Sequence, residues 1–139
     1  MLSNTLNTNE IKNSAGTEVE FQHLDQDGRS HEYAQIGESP ALQHRLKIQH
    51  LETGTGTNKR RRSVVRFDKT IMSTVDTALP VTVSAYTVLD APVGALLANT
   101  EMAHVLAELM SFTASLGAST TILYDGTGNG AAALLSGGL

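Results

Sequence analysis

Up to about Leu89 the chain is built from runs in which apolar and polar residues alternate with a period of two; after Thr100 the period lengthens to that of a helix. Residues 17–24 set Val19 and Phe21 to one side and Glu18, Glu20 and Gln22 to the other, which predicts a half-buried strand. Asp25-Gln26-Asp27-Gly28 follows, and Asp-Gly favours a hairpin turn because glycine accepts positive φ. Residues 30–36 read as the returning strand, ended by Gly37-Glu38-Ser39-Pro40. In residues 43–51, Leu46 and Ile48 share one face while Arg45, Lys47 and Gln49 share the other. A connector of turn formers, residues 52–58, leads to a strand over 60–71 with Val65 and Phe67 opposite Arg62, Val64 and Arg66. In the last long strand, residues 80–89, Val81, Val83 and Ala85 face one way and Thr82, Ser84 and Tyr86 the other.

From Asn99 and Thr100 onward, Met102, Val105, Leu106, Leu109, Thr113 and Leu116 recur at helical spacing, opposite Glu101, His104, Glu108, Ser111 and Ser115. Thr100 as N-cap, Glu101 at the positive end of the dipole and Gly117 as stop predict a helix over 100–116. Residues 91–98 read equally as a loop or as a preceding helical turn. The tail, 117–139, holds a strand-like run from Thr120 to Tyr124, a glycine-rich loop and a short apolar stretch, 131–135, that predicts a second short helix. Residues 1–16, rich in Asn, Thr and Ser, predict an extended arm or a short first strand. The order is therefore a β-hairpin (17–36), an antiparallel meander (43–90) and C-terminal helices, an α+β fold. So little helix leaves the apolar face of such a sheet short of cover. The simplest source of more is a second copy of the chain.

A length of 139 residues suits one domain, and at 40% hydrophobic and 17% charged residues the composition is turn-rich and charge-poor. The absence of cysteine excludes disulfide scaffolds, thiolate metal sites and cysteine nucleophiles. No apolar run approaches the ~18 residues that span a bilayer. The first residues lack a basic region followed by an apolar one, so signal-peptide export is not expected. The net charge of −4 is unevenly spread. Between Arg45 and Lys69 eight cations meet only Glu52 and Asp68, giving +6, while the rest of the chain carries −10. A basic segment with strand-like alternation on an otherwise acidic chain predicts one face oriented toward a phosphate backbone.

Catalytic, cofactor and metal readings find little support. Residues 125–131 satisfy G-x-G-x-x-A, but too few residues follow for the second strand and ribose-binding acid of a dinucleotide site, so a turn is expected. Gly54-Thr55-Gly56-Thr57-Asn58-Lys59 lacks the remaining elements of a phosphate loop. His23, His31, His44, His50 and His104 show no metal spacing, and Asp25-Gln26-Asp27-Gly28 lacks the closing Glu of a calcium loop. No nucleophile elbow accompanies the Ser, His and Asp residues. The expectation is a non-enzyme with no catalytic residues, no cofactor and no metal.

From Thr17 to Leu116 the chain resembles the coat proteins of the small single-stranded RNA bacteriophages, the leviviruses. The resemblance rests on the opening hairpin at Asp27-Gly28, Pro40-Ala41-Leu42-Gln43-His44-Arg45-Leu46 leading into a strand, and a loop followed by a basic strand. It continues with Val81-Thr82-Val83-Ser84 before an amphipathic helix that opens Thr-Glu. The resemblance implies an interlocked homodimer whose helices pack on the partner's sheet through Val105, Leu106, Leu109 and Phe112. It implies an icosahedral shell around genomic single-stranded RNA, a virion assembled in the bacterial host cytoplasm, and no membrane partner. Arg45, Lys47, Gln49, Arg60, Arg62, Arg66, Thr82, Ser84 and Tyr86 would then face RNA, and an RNA hairpin bound there would repress replicase translation. Where the family places a base-stacking Tyr near the start of the last long strand, this chain has Thr77-Ala78-Leu79-Pro80, with Tyr86 further along. The loop over 53–58 corresponds to one that makes symmetry-axis contacts in the family. Replacing Arg60, Arg61 and Arg62 together with Ala is expected to weaken RNA association and flatten its salt dependence. Two other readings stay open from the residues alone: a cellular nucleic-acid-binding domain that forms no shell, and a small enzyme or nucleotide binder centred on Gly126–Gly130.

Overall fold

The computed structural model describes residues 2–96, 98, 100–118 and 121–137. Two compact units are distinguished, Met1–Ile11 with Val19–Leu97 and Lys12–Glu18 with Ala98–Leu139.

The first unit is a six-stranded antiparallel sheet in simple sequence order: β1 (Thr5–Leu6), β2 (Phe21–Asp27), β3 (Ser30–Gln35), β4 (His44–Thr53), β5 (Arg60–Met72) and β6 (Pro80–Pro92). The predicted hairpin and meander are one continuous sheet, and the N-terminal arm contributes its short first strand. Asp27 pairs with Ser30, leaving Gly28 and Arg29 as a two-residue turn, with Gly28 at φ 55° where a side chain would be strained. The expected strand over 17–24 begins only at Phe21, because Asn13 captures the preceding chain in a turn. Its side-chain oxygen accepts from the backbone N–H groups of Ala15 and Thr17. Alternation in β2 then breaks at a bulge between His23 and Asp25, which leaves Leu24 unpaired and exposed. The β4–β5 connector contains a single 3₁₀ turn, Gly56–Asn58, and residues 91–92, left undecided by the sequence, extend β6.

Register follows the alternation. Leu46 lies opposite Tyr33 and Phe67, and Ile48 opposite His31 and Val65. Leu6, Phe21, Tyr33 and Leu46 form the buried cluster, with Ile11, Val19, Ile48 and Phe67 packed against it. Toward β6 the same apolar side is open: Val65, Ile71, Val81 and Val83 are all more than a third exposed.

The second unit contains α1 (Thr100–Ala114) and α2 (Asn129–Ser136). Thr100 is the first helical residue rather than the cap preceding it, and Asn99 lies outside the described residues, as does Thr120 in the tail. The helix stops at Ala114, short of the expected Leu116. Ser115 there leaves helical geometry to form a β-bridge with Ile122, while Leu123 N–H donates to the Ala114 carbonyl at 2.9 Å. Gly126, at φ 85°, lies in the expected turn, whereas Gly128 and Gly130 have a packing role. A Cβ on Gly128 would lie 2.2 Å from the Thr113 carbonyl oxygen, and one on Gly130 would lie 2.6 Å from that of Phe112. Only glycine lets α2 begin so close to α1.

Candidate nucleic-acid interface

Because side chains alternate across a strand, register decides which residues of different strands share a face. Ala34, Arg45, Asp68 and Ser84 stand in one cross-strand row; the next is Glu32, Lys47, Arg66 and Tyr86. Gln49 then joins Val64 and Val88, Arg62 joins Leu51 and Asp90, and Arg60 joins Thr53 and Pro92. Thr82 completes the set beside Thr70, their hydroxyls 2.9 Å apart. All nine residues expected to face RNA therefore lie on one side of the sheet, opposite the buried cluster. Arg61 and Lys69, members of the same basic segment, fall on the other side, across from Ala91 and Val83.

The face is not the bare cationic surface that the linear charge count implies. Asp90 takes Arg60 Nε at 2.8 Å and Arg62 Nη2 at 3.5 Å. Asp68 takes Arg66 Nε at 2.8 Å and a short hydrogen bond from the Ser84 hydroxyl; these donors, Ser84 foremost, hold its carboxyl below the usual range. Lys47 Nζ is 3.3 Å from Glu32 Oε2, and Arg45 Nη2 is 2.7 Å from Glu38 Oε1. Arg45 is the least displayed of the cations. Its side chain is only 16% exposed, and its Nε and Nη1 are shut away without a hydrogen-bond partner among the described residues. Lys47, Arg60, Arg62 and Arg66 remain about half exposed, near 48–60%. Three of the four carboxylates come from outside the basic window, which is why the window's +6 overstates the charge of the face. The sequence carried a signal for Asp90, which has the parity of Thr82, Ser84 and Tyr86, and for Glu32 within the returning strand. What it lacked was the register that sets them beside Arg62 and Lys47.

Apolar side chains are also displayed. The residues expected to form a dimer contact all lie on α1, with Val105 56%, Leu109 44% and Phe112 62% exposed and Leu106 intermediate. On the sheet's apolar side a cavity of about 340 Å³ is lined by Phe67, Lys69, Ile71, Val83 and Ala85. No cluster of three or more potential metal ligands occurs among the described residues, and no described helix is long and apolar enough to cross a membrane.

A six-strand meander followed by two C-terminal helices matches solved structures of known proteins. The coat protein of bacteriophage EMS014 superposes with a TM-score of 0.65 at 14% identity over 87% of each chain. The fold is that of a phage coat protein. The virus-like particle of Beihai levi-like virus 32 matches with a TM-score of 0.55 at 25% identity, over 68% of this chain and 75% of that one. The virus-like particle of bacteriophage AVE015 matches with a TM-score of 0.50 at 14% identity, over 67% of this chain and 66% of that one. No protein-family model and no curated protein matches the sequence. In the coat-protein fold the polar and apolar faces derived above belong to one sheet, so the levivirus resemblance read from the sequence and the three-dimensional likeness agree.

Proposed function

We propose that residues 1–139 act as a single structural coat-protein domain, whose homodimers assemble an icosahedral shell around genomic single-stranded RNA. Arg45, Lys47, Gln49, Arg60, Arg62, Arg66, Thr82, Ser84 and Tyr86 form the RNA-facing surface, and the protein resides in the virion after assembly in the bacterial host cytoplasm. The likeness to the EMS014 coat protein across 87% of the chain carries this reading. Exposed apolar residues support it, because Val83 at 62% and Phe112 at 62% call for an apolar partner surface. A second copy supplies one: Val105, Leu106, Leu109 and Phe112 of one protomer cover the Phe67–Val83 side of the other's sheet, interlocking the dimer. Paired RNA hides its bases in a deep, narrow groove, so the flat basic face reads phosphates and shape. Loop or bulged bases of a hairpin supply any sequence preference, stacking on Tyr86, and the hairpin complex represses replicase translation.

Expression in a bacterium, followed by size-exclusion chromatography, electron microscopy and nuclease protection, tests the proposal. Uniform particles holding protected RNA are expected. A salt-sensitive dimer that never forms particles would favour a nucleic-acid-binding domain without a shell, and a monomer that binds nucleotide tightly would favour the small-enzyme reading.

A further inference from the structure

Three carboxylates of the polar face, Asp90, Asp68 and Glu32, do little for the fold. Exposed ion pairs of this kind contribute little to stability, and Asp90, Asp68 and Glu32 each meet cations that are about half exposed. Their effect on an approaching polyanion is larger in proportion. A phosphate approaching Arg60 or Arg62 competes with Asp90, and one approaching Arg66 competes with Asp68, which is also held by the Ser84 hydroxyl. Whether or not it is displaced, each carboxylate stands beside the phosphate as a like charge.

We propose that Asp90, Asp68 and Glu32 are intramolecular counter-ions that compete with RNA for the basic face and set its affinity low. The proposal rests on the RNA-binding reading above and adds the residues that tune it. A single phosphate gains little against such competitors. A strand that engages several cations at once replaces several pairs together, so binding grows steeply with the number of contacts that one RNA makes. Short or scattered nucleic acid is held weakly, and a long chain folded against many copies of the face is held well. Like charge set against the wrong partner gives discrimination that cations alone do not.

Glu52 supplies a matched control. It also clamps two cations, Arg29 and Lys59, each at 2.7 Å, but β4 alternation places it on the apolar side of the sheet. Asp90→Asn and Glu52→Gln therefore make the same change in net charge on opposite faces. Fluorescence anisotropy with a short labelled RNA at ~0.1 M salt, where screening is moderate, compares them. Asp90→Asn should bind about three- to tenfold tighter than the parent, an effect of Coulombic size at contact distance, and the gain should fade toward ~1 M salt. Glu52→Gln should leave affinity unchanged. Asp68→Asn, which meets a different cation, carries the same expectation should Asp90→Asn not fold. Unchanged or weaker binding by both Asn variants, or an equal gain from Glu52→Gln, would overturn the competition. If instead the parent binds no RNA and Arg60→Ala/Arg62→Ala changes nothing, the RNA reading itself fails and takes this inference with it.

Discussion

Phe21 is fully buried, its ring edge-on to His44 at 5.0 Å and to Phe67 at 5.9 Å between centroids. In a sheet unit with few buried side chains, this contact carries an unusual share of the packing. Truncating Phe21 to Ala removes a large apolar volume that the neighbouring strands cannot fill by collapse. A loss of about 3–5 kcal/mol is expected, read as a shifted denaturation midpoint at constant slope. His44 adds a pH dependence. Burial, and then the charge of Lys69, hold its pKa below the ordinary 6.5, against a smaller opposing effect of Glu38. The unfolded chain therefore takes up the proton first. Stability supplied by neutral His44 is complete above about pH 6.5 and declines as the pH falls, until His44 protonates within the fold itself. The melting temperature should drop on acidification below that point, and His44→Gln should shrink the drop. An identical pH profile in the variant would remove His44 as the cause. Glu52, held at about 2 by hydrogen bonds from Lys59 and Arg29, stays ionised through this range and contributes no part of the change.

At the level of elements, strand β5 shows how a single residue of offset separates roles. Arg60 and Arg62 point to the polar face and Arg61 to the other, so replacing all three together mixes two different surfaces. Arg60→Ala/Arg62→Ala should lower the salt dependence of RNA binding by about 1.4 in slope, two contacts at ~0.7 each, whereas Arg61→Ala should leave it unchanged. Titration of affinity against salt checks both. The helix pair poses a question of sign. By intrinsic propensity Gly130→Ala should stabilise α2 by about 1 kcal/mol. A Cβ there would lie 2.6 Å from the backbone oxygen of Phe112, which cannot swing aside as a side-chain end could. Overpacking should win, with a net loss of about 1–3 kcal/mol, visible as faster amide exchange in α1 and α2. A stabilised variant would show that the helices separate freely.

On the scale of the whole molecule, the proposed dimer contact is tested through the exposed apolar side chains of α1 and of the β5–β6 side of the sheet. Leu109→Asp on the helix, or Val83→Asp on the sheet, should leave the far-ultraviolet circular dichroism unchanged and abolish dimers and particles, as measured by analytical ultracentrifugation. Retained particles in both variants would place the assembly contact elsewhere. The two-faced sheet behind this prediction was legible in the sequence. Alternation with a period of two is a local property, and it told which residues of each strand share a side: Arg45 with Lys47, Phe67 with Val65, Ser84 with Tyr86. Turn chemistry located the strand ends to within a few residues, except where a side chain reached across the turn, as Asn13 does, or where a bulge broke the parity, as at Leu24. Register was not legible, because it depends on which strands meet and at what offset. Only the folded sheet brought Glu32 beside Lys47 and Asp90 beside Arg60 and Arg62 and, with Glu38 closing on Arg45 across the intervening turn, turned a basic segment into a nearly balanced surface. The role of Gly128 and Gly130 was hidden for the same reason, since a glycine required by the close approach of another helix looks, in sequence, like a glycine in a turn. Local sterics and hydrophobic period thus determined the elements and their faces, whereas the balance of charge and the close contacts, which arise between distant residues, were decided by the tertiary structure.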